Sequence, residues 1–96
     1  QPNLAVTSST TTPQPQSPQW SRYVDTDLPG NDFEKFALNA ASHYMCEVEC
    51  QKSDKCKAYV YVSPGIQGVY ARCWLKDAVP LQKMPVKGVT SAIRIR

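Results

Sequence analysis

The residues of this chain with the most chemistry are its four cysteines, Cys46, Cys50, Cys56 and Cys73, and a lone histidine, His43. The spacing Cys-x3-Cys-x5-Cys-x16-Cys admits two uses, a disulfide framework or a structural zinc site. Small zinc modules commonly present Cys-x2-Cys knuckles, which set two sulfurs at the tetrahedral angle, and neither half of this pattern has one. Adding His43 would give one ligand too many for a closed site. The pattern therefore reads as disulfides, with no metal and no cofactor. Catalysis asks for a nucleophile, a base and an orienting group. With the cysteines crosslinked, His43 stands alone, and the chain has no Gly-rich phosphate loop or nucleophile elbow, so no enzyme activity is expected. Asp25, Asp27, Asp32 and Glu34 could suggest calcium, but they do not follow the Asp-x-Asp-x-Asp-Gly loop spacing, and turn-making explains them more simply.

The elements that must position these residues begin at Trp20. Among residues 1–19, fifteen of nineteen are Ser, Thr, Pro or Gln and none is charged. Such a stretch has too little apolar area to offset its ordering entropy and reads as a disordered tether, of a composition that can also carry O-linked sugars. The start at Gln1, without methionine or leader, is expected of a processed product or an excised piece. Residues 20–96 then form the domain. Short strands are expected over Trp20–Val24 and Phe33–Leu38, separated by turn residues in Asp25–Asp32 (DTDLPGND). One helix is expected over Ala40–Ser53, capped by Ser42, with Cys46 and Cys50 on one face and Glu47, Glu49 and Lys52 on a solvated one. Strands follow over Lys57–Ser63 and Val69–Lys76, then an irregular stretch over Asp77–Gly88. A half-buried closing strand, Val89–Arg96, ends the chain. The fold class is α+β, one helix packed across an antiparallel sheet of about five strands and stapled by disulfides.

That helix decides the pairing. A Cys46–Cys50 bond would span one helical turn, where side chains run parallel and do not face each other. Cys56 follows the helix end closely and folds back on the last turn, beside Cys50. Cys46, a turn (~5.4 Å) farther from the end, is left to reach Cys73. The expected pairs are Cys46–Cys73 and Cys50–Cys56. They close loops of 28 and 7 residues, with chain-entropy contributions of ~3.6 and ~2.4 kcal/mol. That sum rivals the stability of a small domain, and a reducing cytosol would forfeit it. The expected location is therefore secreted, periplasmic or extracellular. If Cys73 faces the helix, then Leu75 does too, and Arg72, Trp74 and Lys76 form a row on the opposite face. Such a row could stack a sugar ring on Trp74 and hold an anionic group with its cations. Alternatively, Trp74 packs under Trp20 or Tyr23 and the charges are merely solvated.

The order Asp27-Leu28-Pro29-Gly30-Asn31-Asp32-Phe33, then Cys46-x3-Cys50-x5-Cys56-Lys-Ala-Tyr59-Val-Tyr61, then Cys73-Trp74-Leu75-Lys76, resembles a PAN/Apple domain. It is most similar to the short four-cysteine form of bacterial secreted proteins, over about Asp25 to Ile93. The resemblance implies a helix laid across a curved antiparallel sheet, Tyr59 and Tyr61 facing the helix, the cysteine pairing already reached, and no catalysis. It also implies binding of proteins or carbohydrates, without fixing which residues bind. The expected function is a recognition module for protein binding or adhesion. The alternatives are a lectin-like carbohydrate-binding module and a structural accessory domain of a larger secreted protein. The expected partner is an extracellular protein or glycan. A net charge of +3 without a lysine/arginine run argues against nucleic acid, and Lys83, Lys87, Arg94 and Arg96 add only a mildly basic C-terminal part. No apolar run approaches the ~20 residues of a membrane span, and the isolated domain is expected to be monomeric.

Overall fold

A computed structural model describes residues 19–95. The expected tether lies outside the described residues apart from Gln19, whose carbonyl accepts a hydrogen bond from the Ile95 N–H at 2.7 Å. In chain order the elements are β1 (Trp20–Tyr23), β2 (Thr26–Asp27), β3 (Asp32–Ala37), α1 (His43–Gln51), β4 (Ala58–Val62), β5 (Arg72–Lys76), β6 (Met84–Pro85) and β7 (Val89–Arg94). The main sheet is antiparallel with strand order β1-β7-β4-β5-β3, and β2 pairs with β6 in a separate two-stranded ribbon. One helix on a five-stranded antiparallel sheet, with two disulfides, makes this an α+β fold.

The reason for two layers is visible in β4, whose five residues are all buried. A strand alternates its side chains, so complete burial requires a cover on both faces. Tyr59 and Tyr61 join Cys46, Cys50, Cys73 and Leu75 in the core under α1. Ala58, Val60 and Val62 join Leu28 and Val89 in a second core on the other face, with Val86, Trp74 and Ile93 packed against it. The disulfides join Cys46 to Cys73, with Cα atoms 5.5 Å apart, and Cys50 to Cys56, 5.3 Å apart. The first ties α1 to β5, and the second closes the turn after the helix.

Several expectations shift. The helix is shorter than Ala40–Ser53, and Ser42 occupies the N-cap position in an extended conformation without a side-chain capping bond. The strand expected from Val69 begins only at Arg72, and Val69 and Tyr70 are exposed. Segments read as a turn and as irregular each contribute a strand, since two-residue strands such as β2 and β6 are too short to show a period. The closing strand, expected to bury one face, carries buried residues on both. β7 runs between β1 and β4, with Val89 and Ser91 buried on one side and Ala92 on the other, while Thr90, Ile93 and Arg94 are partly covered. The buried Ser91 hydroxyl donates to the Thr26 carbonyl and so binds β2 to β7. Gly88 sits at φ +85°, and a Cβ there would come within 2.5 Å of Ile66 Cδ1, so this turn into β7 requires glycine.

Candidate functional site

The row Arg72, Trp74 and Lys76 lies on β5 and faces away from α1, because Cys73 and Leu75 take the alternate positions beneath the helix. The structure gathers two of the three into one place. A cleft of about 280 Å³ is lined by Trp74 and Lys76 with Asp27 from β2, Asp32 from β3, Gln67 from the β4–β5 loop, and Val86. Arg72 is not among the lining residues. Lys76 is no free cation there: it is buried, and its ammonium is paired with Asp32 directly across the β3–β5 ladder. The Trp74 indole N–H donates to Gln67 Oε1 at 2.8 Å, and Lys35 lies 5.2 Å from its ring centre. Trp74 does not pack under Trp20 or Tyr23. Trp20 is on the helix face, edge-on to Tyr59 at 5.3 Å, and Tyr23 sits on β1, beyond β7 and β4. Trp74 packs instead against the second core.

The acidic residues diverge. The Asp25 carboxylate accepts the Gly88 N–H at 2.9 Å, and Asp32 binds Lys76. Glu34 pairs across from Leu75, and so belongs to the helix face. The basic C-terminal residues are also spread out: Lys83 lies over Tyr23 at 4.9 Å. Arg94 Nη1 lies 3.2–3.4 Å from the carbonyls of Cys50, Ser53 and Cys56, at the open end of α1. There its charge opposes the negative end of the helix dipole.

A second concavity was not anticipated. Between α1 and β3 runs a groove of about 400 Å³, lined by Phe36, Leu38, Tyr44, Met45 and Val48, with Glu34 and Glu49 as its charged members. A bulge makes it possible. The β3–β5 register shifts between Asp32 and Glu34, which leaves Phe33 as the extra residue and lets both Phe33 and Phe36 lie against the helix-side core. Tyr44 and Val48, at i and i+4, were legible as an apolar pair on the helix, but not on the stripe that carries Cys46 and Cys50.

The strongest polar chemistry is interior and structural. Glu47, expected on a solvated face, is buried. It accepts a two-pronged contact from Arg22 at 3.0 and 2.9 Å, and a hydrogen bond from the Tyr59 hydroxyl at 3.0 Å. Burial, then the nearby Glu47 charge, holds the Tyr59 phenol far above its ordinary pKa of 10.0. The hydrogen bond to Glu47 likewise raises Arg22. His43 stacks near Tyr44 and Tyr61, with ring centres 4.2 and 6.4 Å away.

A family profile described as PAN domain matches residues 26–76, the stretch that contains α1, both disulfides and β2 through β5. The chain belongs to the PAN domain family. No curated protein matches it. PAN domains are in general non-catalytic modules that bind proteins or sugars. In this one, both concavities are built largely from the matched segment, whereas β1, β6 and β7 lie outside it.

Proposed function

We propose that this PAN domain is a non-catalytic recognition module that works outside the reducing cytosol, in protein–protein binding or adhesion. The observation that carries this reading is the apolar groove between α1 and β3, where Tyr44 and Val48 remain exposed beside a sheet edge with no further strand among the described residues. Exposed apolar surface organised around a concavity is costly in water and is a common feature of protein-binding surfaces. The two disulfides, which close much of the loop-closure entropy of so small a domain, favour an oxidising compartment. No helix among the described residues is long and apolar enough to cross a membrane.

The second reading, a carbohydrate-binding module, is favoured by the cleft in which Trp74, Gln67 and the Lys76–Asp32 pair converge. An indole beside hydrogen-bonding groups suits the apolar face and hydroxyls of a sugar. Probing the oxidised chain in parallel on extracellular-protein and glycan arrays separates the readings. The expected result is a defined protein binder that Val48→Asp loses and Trp74→Ala keeps, with circular dichroism showing both variants folded. A glycan signal abolished by Trp74→Ala, without a protein binder, moves the function to the second reading. Silence on both arrays leaves a structural accessory role.

A further inference from the structure

The outer stripe of α1 and the free side of β3 form one surface that the core does not use. Tyr44 and Val48 are 57% and 49% exposed, and Phe36, Leu38 and Met45 line the groove beside them. β3 is the last strand of the sheet, so every second residue presents its N–H and C=O outward with no strand beyond it among the described residues. The bulge interrupts only the start of that edge, and Glu34 through Ala37 keep continuous register with β5. The charges lining the groove are both negative. Glu49 is already bridged to Lys52 at 3.1 Å, whereas Glu34 has no ion-pair partner among the described residues.

We propose that this groove takes an extended segment of a partner protein. The segment adds a strand to the outer edge of β3, seats a bulky apolar side chain against Phe36, Met45 and Val48, and sets a lysine or arginine against Glu34. The inference rests on the protein-recognition reading and specifies its partner. Strand addition satisfies the outward backbone groups whatever the sequence, so selectivity falls to the alternate side chains that point toward the helix. Of these, the apolar one removes exposed surface from water, and the basic one answers a carboxylate left unpaired. The chain's own residues 1–19 include no lysine or arginine to set against Glu34.

The test uses the full, oxidised, isotope-labelled chain, titrated with short capped peptides in which threonine alternates with leucine. The leucine face ends in either lysines or glutamates. The expected result is a set of amide shifts confined to β3 and the outer face of α1, with an affinity about tenfold higher for the lysine peptide. Glu34→Lys should invert that preference, and Val48→Asp should remove binding. Equal affinity for both peptides, or shifts centred on Trp74, overturns the inference but leaves protein recognition standing. Groove shifts that depend on protein concentration alone assign the surface to a second copy. Groove shifts caused by a Leu4→Ser/Val6→Ser variant assign it to the chain's own N-terminal segment, and either result overturns the proposal. A titration without shifts also overturns it, and joint silence of the protein array removes the reading beneath it.

Discussion

The two faces of the sheet are stabilised by different means. Beneath α1, the core is crosslinked: Cys46–Cys73 pins the helix to β5, Cys50–Cys56 closes its exit, and Arg22, Glu47 and Tyr59 lock β1, α1 and β4 through charge-assisted hydrogen bonds. The opposite face has no crosslink. Leu28, Val60, Val62 and Val89 are covered by the two-residue ribbon β2–β6, held by a few bonds such as Ser91 to Thr26 and Gly88 to Asp25. Covalent closure limits how far the helix face can open even when its packing fluctuates. The ribbon face depends on packing and those few hydrogen bonds, with no covalent tie, and should open at lower free energy. The groove beside β3 is thus mounted on the stiffer side, and the Trp74 cleft on the softer one.

Breaking the crosslink is the most severe test of this contrast. Replacing Cys46 and Cys73 together by alanine should lower stability by about 3.6 kcal/mol, the loop-closure value for a 28-residue ring. Urea unfolding checks the loss, and hydrogen exchange should show α1 losing protection before β4. Comparable protection in α1 with and without the bond would show that packing, not the disulfide, holds the helix. On the uncrosslinked face, Leu28 is fully buried, and Leu28→Ala should cost about 3 kcal/mol through lost burial and the cavity left behind. Its exchange signature should be early opening of β2 and β6 with α1 unchanged. A loss below about 1 kcal/mol would mean that the ribbon face contributes little as a core.

How much of this was legible differs by face. The helix face could be read because its signals are chemical and repeat at known spacings. Cys46 and Cys50 at i,i+4 set its direction, and parity from Cys73 placed Leu75 inward and Trp74 outward. The ribbon face was hidden for the opposite reason. Its cover is two residues from each of two turn-rich segments brought together across a sequence separation of 57, from Asp27 to Met84 in the β2–β6 register, and no local period encodes such a pairing. Glu47 misled because a glutamate on a helix is ordinarily solvated, and only its distant partners Arg22 and Tyr59 make burial tolerable. Lys76 misled in the same way. Its place on the Trp74 face followed from alternation, but its pairing with Asp32 depended on the β3–β5 register. The groove stayed out of view because the bulge at Phe33, which turns two phenylalanines toward the helix, leaves no sequence mark.

Smaller effects sharpen the picture of the helix face. Arg94→Ala removes the cation from the carbonyls of Cys50, Ser53 and Cys56 and should cost about 1.5 kcal/mol. Arg94→Lys should recover part of that, as measured by urea midpoints, and equal losses in the two variants would reduce Arg94 to a packing residue.

The smallest effect at neutral pH is also the one with a sign that can be checked. Tyr59→Phe deletes the hydrogen bond to Glu47 and should cost about 1 kcal/mol at pH 7. Above pH 10 the balance changes. Burial first, and then the Glu47 charge, keeps the folded phenol protonated well beyond its ordinary 10.0, while the unfolded chain releases that proton near 10.0. The folded state then holds more protons than the unfolded one, so the contribution, complete below pH 10, is lost as pH rises through the folded pKa. The slope approaches about 1.4 kcal/mol per pH unit while only the unfolded form ionises. Unfolding midpoints from pH 9 to 11 should therefore fall in the parent chain, and the gap to Tyr59→Phe should narrow as they do. Absorbance at 295 nm should show one tyrosine ionising only as the chain unfolds. If the gap stays constant across that range, Tyr59 is not held by its burial against Glu47, and the polar lock on the helix face loses its central member.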